Sequence, residues 1–454
     1  MKTAIFETLV ARDENMDIIP WLADSWEWAN ETELVMHLHE GVTFTNGEPF
    51  TAEDVLFTFQ YIQDNQNGGI DYVRNVDMEK SYAEGDYELH LVLTTPTTNL
   101  VELLETPMTG IMCKSAVSAD ETFTDVSSAI GTGPYVPVEY NVGDSIRMVA
   151  NENYWKADAM PKIKNLVFRF VTDSSSRVIE AESGNADIVF DLPASDVAAL
   201  EANPNIHYMN TTTGGTTFLC LNCNFEPFQD LRVRQAVCYA INRDAAVASA
   251  YQGYGGVQKS IFADGVKGAA DTSSLVCEND IEKAKSLLAE AGYADGFDFA
   301  ITCTNTDQNR INLAEALQAQ LAQVGIRVTV DAEAPSAQMQ KCLNGEADAS
   351  IYGFTATTFE AQRQLIRWLP GSTDFQVFNW TNQDYIDIVN KAMVTTDSAA
   401  RYELFGQACE ILTEACTAIP MWTMQINAVL QNDVQGFYFM RSFQHHLFQY
   451  VYFN

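Results

Sequence analysis

The sequence predicts an α/β chain built as two lobes of similar design. Three observations carry this. The chain has 454 residues, enough for two or three domains with sizeable cores. Its second half alternates helix and strand patterns. One pattern also occurs twice. "ESGNADIVF" (182–190) and "LNGEADASIYGF" (343–354) each place a glycine where a helix would end, then Ala-Asp, then a strand. Each follows a strand and a helix, in "VTDSSSRVIEA" and "VTVDAEAPSAQMQKC".

Taken in order, the first third is rich in strands and turns. "TELVMHLHEGVTF" alternates apolar and polar residues, as a half-buried strand does. Asn46-Gly47 follows as a turn dipeptide, since both residues tolerate positive φ. Thr51 and Asp54 then form a capping-box variant at the start of a helix whose apolar stripe is Val55, Leu56, Phe59 and Ile62. "YELHLVLTTPT" (87–97) is a strand, "LVELLET" (100–106) a short helix, and "GTGPYVPVEYNVGDSIRMVAN" (131–151) a turn with two strands. "IKNLVFRFVTD" (163–173) is a strand, with a helix at about 175–183.

In the second half, 230–253 reads as one long helical stretch and "DIEKAKSLLAEAG" (280–292) as a capped helix. "RINLAEALQAQLAQVGIRVTV" (310–330) is a helix, then Gly325, then a buried strand. Residues 398–424 read as a long helix broken near Pro420, and the tail is strand-like.

Composition narrows the function. Lys and Arg number 26 against 61 Asp and Glu, a net charge of −35, so nucleic acid is a poor partner. Hydrophobic content of 47% marks a globular chain. No apolar run reaches the roughly 18 residues of a membrane span, and Met1-Lys2 leads directly into "TAIFETLV" without a leader. The nine cysteines are scattered, which suits buried free thiols better than a disulfide framework.

Motifs with chemistry are scarce. "CLNC" (220–223) has redox or zinc spacing, but it lies in a strand pattern, where residues three apart face opposite sides. His37 and His39 share a strand face that reads as solvated, and His445-His446 are adjacent near the C-terminus. No HExxH, P-loop or GxSxG occurs, and "GTGP" has no helix after it. No cofactor is implied. Aromatic residues recur in loop-like sections, at Tyr140, Tyr251, Tyr254, Phe354, Trp380 and Trp422; core packing accounts for most and a ligand cleft for a few.

Assembled in order, the segments resemble the family 5 extracellular solute-binding proteins of ABC importers for dipeptides, oligopeptides and nickel complexes. The resemblance rests on "IFETLVARDENMDIIPWLADSWEW", "MHLHEGVTFTNGEPFTAEDVLFTF", "GTGPY", "NENYWKADAMPKIKNLVFRF", "SGNADI", "PFQDLRVRQAVCYAINRD", "EKAKSLLAEAGY", "QLAQVGIRVTV" and "IPMW", which span almost the whole chain.

It implies a two-lobed periplasmic-binding-protein type II fold (cluster C) with a small extra α+β domain inserted near the N-terminus. Central lobe I would comprise 1–15, 133–235 and 426–454, the inserted domain 16–132, and lobe II 236–425. A solute would be engulfed between hinged lobes and passed to ABC permease subunits, with the receptor a monomer and not an enzyme. A pocket of roughly 300–1,000 Å³ suits a short peptide or peptide-like molecule. Members normally carry several tens of residues before "IFETLV", including a leader and often a lipoprotein cysteine. The resemblance therefore implies an extracytoplasmic protein, periplasmic or anchored at the cell surface, whose leader and anchor are not in this chain.

The implied site is assigned by matched position. Phe354, Thr355, Thr357 and Glu360 line one wall from lobe II, and Thr212, Thr213 and Tyr140 face them from the central lobe. Arg310 or Arg363 meets a carboxylate, for which a planar fork is suited. Trp380 and Trp422 form apolar pockets. Peptide-binding members usually place an aspartate where Thr357 stands. Glu360 then substitutes as the partner of a buried ammonium, or the solute is N-blocked, cyclic or not a peptide. Two rivals remain. A nickel-chelate or opine receptor needs His446 or His445 in the cleft. A peptide hydrolase on an α/β frame needs a carboxylate pair or a Ser/His pair there.

Overall fold

The structure is a computed structural model, and it describes all residues except 14, 67, 118–125, 253, 356–358 and 442–446. The chain divides into two compact units. The first contains Met1–Leu192, Ala198–Asn210 and Asn427–Asn454; the second contains Pro193–Val197 and Thr211–Ile426.

The first unit has two cores. In one, the antiparallel strands Ala23–Asn30, Glu33–Leu38, Glu88–Val92 and Tyr82–Glu84 form a sheet in that order. Their inward residues Leu34, Met36, Leu89 and Leu91 pack with Val55 and Phe59 of the helix Ala52–Asn65. The turn expected at Asn46-Gly47 is present: Gly47 has φ +89, and its N–H donates to the Phe44 carbonyl at 2.8 Å. The cap also forms. Asp54 Oδ2 accepts from the Thr51 N–H at 3.0 Å, and Oδ1 accepts from the Lys114 N–H at 3.0 Å. One buried carboxylate thus holds both a helix start and a distant loop.

The second core of this unit joins the hairpin Tyr135–Asn141 and Ser145–Ala150, and the strand Asn165–Arg169, to the tail through Ile5, Tyr135, Met148, Leu430 and Val451. Between the cores lies Glu7, only 6% exposed. Its carboxylate accepts from Trp21 Nε1 and the Tyr154 hydroxyl at 2.7 Å each, and from Trp155 Nε1 and the Thr132 hydroxyl at 2.8 Å each. Burial raises the Glu7 pKa, against those four donated bonds. Nearby, Arg12 Nε lies 3.1 Å from Glu105 Oε1, with both side chains buried.

In the second unit, Asp298–Thr304, Gln308–Leu321 and Arg327–Glu333 form a strand–helix–strand crossover. The two strands are parallel, in register from Asp298↔Arg327 to Thr304↔Glu333. Parallel strands need such a crossover, and Gly325 at φ +86 supplies the turn out of its helical arm. The strand Ala349–Thr355 lies parallel to Asp298–Thr304 and antiparallel to Gly215–Leu221. Its core gathers Leu219, Phe228, Val237, Phe299, Ile301, Leu313, Leu317 and Ile351.

The echoed pattern takes the same local form in both places. The helix Ser174–Ser183 ends at Gly184, φ +71, and a strand begins at Ile188. The helix Pro335–Leu343 is followed by Gly345, φ +72, and a strand begins at Ala349. Each strand starts four residues after its glycine.

Three expectations change. Residues 230–253 form two helices, Leu231–Ala240 and Arg243–Tyr251, because Asn242 caps the second by accepting from the Ala245 N–H. The helix Ser398–Ala415 ends at Cys416, φ +51, and Ala418–Gln431 is a strand, so the break precedes Pro420. Residues 211–235 group with the second unit, where the sequence reading had placed them with the central lobe; strand pairing of 215–221 with 349–355 accounts for this. Residues 16–132 group with the first unit but keep their own sheet and core. The nine cysteines are free thiols, eight of them buried. No helix among the described residues is long and apolar enough to cross a membrane.

Candidate functional site

The candidate surface in the second unit is built on one antiparallel strand pair. Gly215 is opposite Thr355, Thr216 opposite Phe354, and Thr217 opposite Gly353. Successive side chains on a strand face opposite ways, so this register sorts the residues into two sets.

One set is core. The Phe354 ring lies 5.7 Å from Phe218, 5.8 Å from Trp368 and 5.9 Å from Phe378, and only 3% of the residue is exposed. Phe354 and Thr355 were expected to share a wall. They do not, because they are strand neighbours and Phe354 faces the aromatic core.

The other face is more open. Gly353 leaves the strand surface bare, and a Cβ there would meet Arg310 Nη2 and Met424 Sδ at 3.4 Å each. Gly215 admits Met424 in the same way, since its Cβ would come within 2.7 Å of Sδ. The Thr355 hydroxyl lies 3.7 Å from that sulfur.

Arg310 is set by its helix. Asp307 caps Gln308–Leu321, accepting from the Asn309 and Arg310 N–H groups, and its Oδ2 lies 3.2 Å from Arg310 Nε. That pairing fixes one edge of the guanidinium and directs Nη2 over Gly353. The side chain is 21% exposed, which leaves it within reach of a solute.

An aromatic stack accompanies it. Tyr251 lies flat on Trp422, with centroids 4.1 Å apart and planes 10° from parallel. Burial pushes the Tyr251 hydroxyl pKa up, and the Asp307 charge adds to this while Arg310 opposes it. Gly255, at φ +93, lies against the indole edge; a Cβ there would fall 2.0 Å from Trp422 Nε1. That Nε1–H is buried with no acceptor among the described residues.

Other expected residues have different surroundings. Glu360 is 1% exposed and 3.4 Å from the Arg401 guanidinium, itself buried, so it is not an open anion for an ammonium. Thr213 is 1% exposed. Its hydroxyl donates to the Met424 carbonyl and accepts from the Gly215 N–H, at 3.1 Å each, which makes it a strap between strands. Thr212 precedes it in the same strand. Arg363 is half-buried on the short helix Ala361–Leu365. Trp380 is 8% exposed and packs on Tyr385 at 5.5 Å, as a core residue does. In the first unit, Tyr140 is 52% exposed near the end of its hairpin strand. Thr357, His445 and His446 lie outside the described residues.

The structure thus sets Arg310 and Thr355 each near Met424 and Trp422 against Tyr251, and buries Phe354, Glu360 and Trp380. Sequence reasoning missed Asp307 and Met424. Asp307 carries a legible cap signal immediately before the helical run, but no local pattern announces Met424.

The arrangement presents a fixed planar cation, the Thr355 hydroxyl and the half-buried Trp422 ring, one face of which is covered by Tyr251, itself a core residue at 3% exposure. It can accept a carboxylate beside an apolar group.

Comparisons with known proteins agree in class. Heme-binding protein A of Haemophilus influenzae is 28% identical over 452 residues, covering 93% of this chain and 82% of that one. Glutathione-binding protein GsiB of Escherichia coli K12 is 26% identical over 450 residues, covering 96% and 86%. Among solved structures, the periplasmic binding protein AgaA of A. tumefaciens R10, in complex with agropinic acid, superimposes with a TM-score of 0.84. It is 26% identical and covers 100% of this chain and 93% of that one. The expected α/β type II binding-protein fold is the fold found. Residues 17–376 match the model of the bacterial extracellular solute-binding proteins, family 5, and the chain belongs to that family.

Proposed function

We propose that this chain captures a short peptide or peptide-like solute bearing a free carboxylate, and delivers it unchanged to an ABC permease. The observation that carries the cargo class is Arg310 held over bare Gly353 beside the Tyr251–Trp422 stack. The guanidinium meets the carboxylate, and the aromatic wall takes an apolar side chain. The likeness to a glutathione-binding protein supports a small peptide. The chain passes between its two units within the strands Ile206–Leu221 and Ala418–Gln431, besides the short excursion of Pro193–Val197. We infer that these strands act as a hinge, with closure stabilised by contacts that the solute makes only in the closed state. The protein works as a non-catalytic monomer outside the cytoplasm, either periplasmic or anchored at the cell surface.

Calorimetric titration with di- and tripeptides, and with their C-terminal amides, tests this. Free acids bind, and amidation or Arg310→Ala weakens binding by on the order of 30-fold or more, equivalent to roughly 2 kcal/mol or more. Equal affinity for acids and amides contradicts the assignment.

A second reading is an opine-like solute. The likeness to agropinic acid-bound AgaA favours it. Opines that displace peptides in the same titration would support this reading.

A further inference from the structure

Outside the candidate surface, the second unit brings three cysteines together from distant stretches. Cys238 lies on the helix Leu231–Ala240, Cys277 just after the turn Ser273–Leu275, and Cys416 at the cap of Ser398–Ala415. Their sulfur atoms all lie within 4.8 Å of one another, and the residues are 3%, 9% and 4% exposed. A buried cysteine by itself is usually an apolar core residue. Here a buried cation faces the group as well. Arg243, 5% exposed, directs Nη2 at Cys238 Sγ at 2.9 Å. Its Nη1 donates to the Cys277 carbonyl at 2.8 Å and its Nε to the Pro420 carbonyl at 3.1 Å. The backbone thus fixes the guanidinium against sulfur.

We propose that Cys238, Cys277 and Cys416 form a three-thiolate site for a thiophilic divalent cation of the zinc–cadmium class. The spacing fits. Metal–sulfur bonds of about 2.3 Å place three sulfurs about 4 Å apart around one ion, so the group needs to contract by less than about 1 Å. The charge fits too. Three thiolates carry three negative charges, and a divalent cation with Arg243 supplies three positive ones, which leaves the buried site neutral. A monovalent cation would leave a net negative charge there.

Binding exchanges three S–H protons for three metal–sulfur bonds, releases the protons to solvent and involves no redox change. Cys277, the most exposed of the three, marks the way in. Among the described residues no fourth His, Cys, Asp or Glu joins the group.

The test is anaerobic titration of the reduced, metal-free full chain with cadmium. Binding is followed by thiolate-to-metal absorption, proton release and cadmium-113 NMR. One equivalent should bind, release up to three protons and give a sulfur-ligated resonance. Cys277→Ser should weaken binding on the order of 100-fold, while Cys342→Ser, a buried thiol elsewhere, should bind as the wild type does. Three results would overturn the proposal: an oxygen- or nitrogen-ligated resonance, a thiolate band that forms in Cys277→Ser with wild-type affinity and intensity, or a disulfide joining two of these three cysteines in the purified protein. The wild-type NMR signature decides the matter even where a variant fails to fold.

Discussion

Arg310 and Glu7 show how unevenly single residues can be read from sequence. Arg310, with Arg363 as its alternative, was expected to meet a carboxylate by matched position, and the structure gives Arg310 a cap, a partner and a bare strand to lie over. Glu7 was not legible, because its donors are at 21, 132, 154 and 155 and no local pattern joins them. Replacing Glu7 with leucine leaves four donors, three of them on buried residues, without their acceptor and should cost about 3 kcal/mol in urea denaturation. Glu7→Gln should fall between that variant and wild type.

His90 offers a test of charge. Partial burial opposes its protonation, but Glu33 at 3.0 Å and Glu88 at 3.1 Å prevail, and its pKa lies above the ordinary 6.5. A histidine raised on folding contributes stability that is fully present below its unfolded pKa. That contribution is lost as the pH rises through the folded value. The His90 ring signals in NMR should titrate above 6.5, and titration at or below 6.5 would contradict the ion-pair assignment.

At the scale of elements, caps and turn glycines were the reliable signals. The Thr51–Asp54 cap, the Asn46-Gly47 turn and the two glycine-to-strand junctions appear where the sequence placed them. Each depends on neighbours only a few residues away. The stretch beginning at 418 was misread because helical periodicity continued past Cys416, whose positive φ ends the helix. Tertiary pairing then makes 418–431 a strand. The open face of the 215–221 and 349–355 pair was only half legible. Alternation predicts that Phe354 and Thr355 diverge, but not which of them meets the core.

Gly255 is the sensitive junction beside the candidate site. Gly255→Ala adds a Cβ 2.0 Å from Trp422 Nε1 at φ +93, and should destabilise the protein by about 1–3 kcal/mol. It should also weaken solute binding by disturbing the Tyr251–Trp422 stack. Unchanged calorimetric affinity would remove that stack from the site.

At the scale of the whole molecule, the order of elements carried the fold class. No single segment identifies the family, but their sequence along nearly all of the chain does. The cargo is harder to read, because residues 356–358 and the histidines at 445 and 446 fall outside the described residues. A receptor that holds solute only when folded should also gain stability from it. At a hundred times the dissociation constant the gain is about 2.7 kcal/mol, visible as a rise in melting temperature.

The central claim is reversible capture of a small solute without chemistry. Native mass spectrometry of the freshly purified chain, incubated with a di- and tripeptide library and then gently denatured, tests it most directly. The account predicts a one-to-one complex that releases a solute of unaltered mass, and loss of that complex in Arg310→Ala. Cleaved products in the released fraction, or no retained solute from any member of the library, would contradict it.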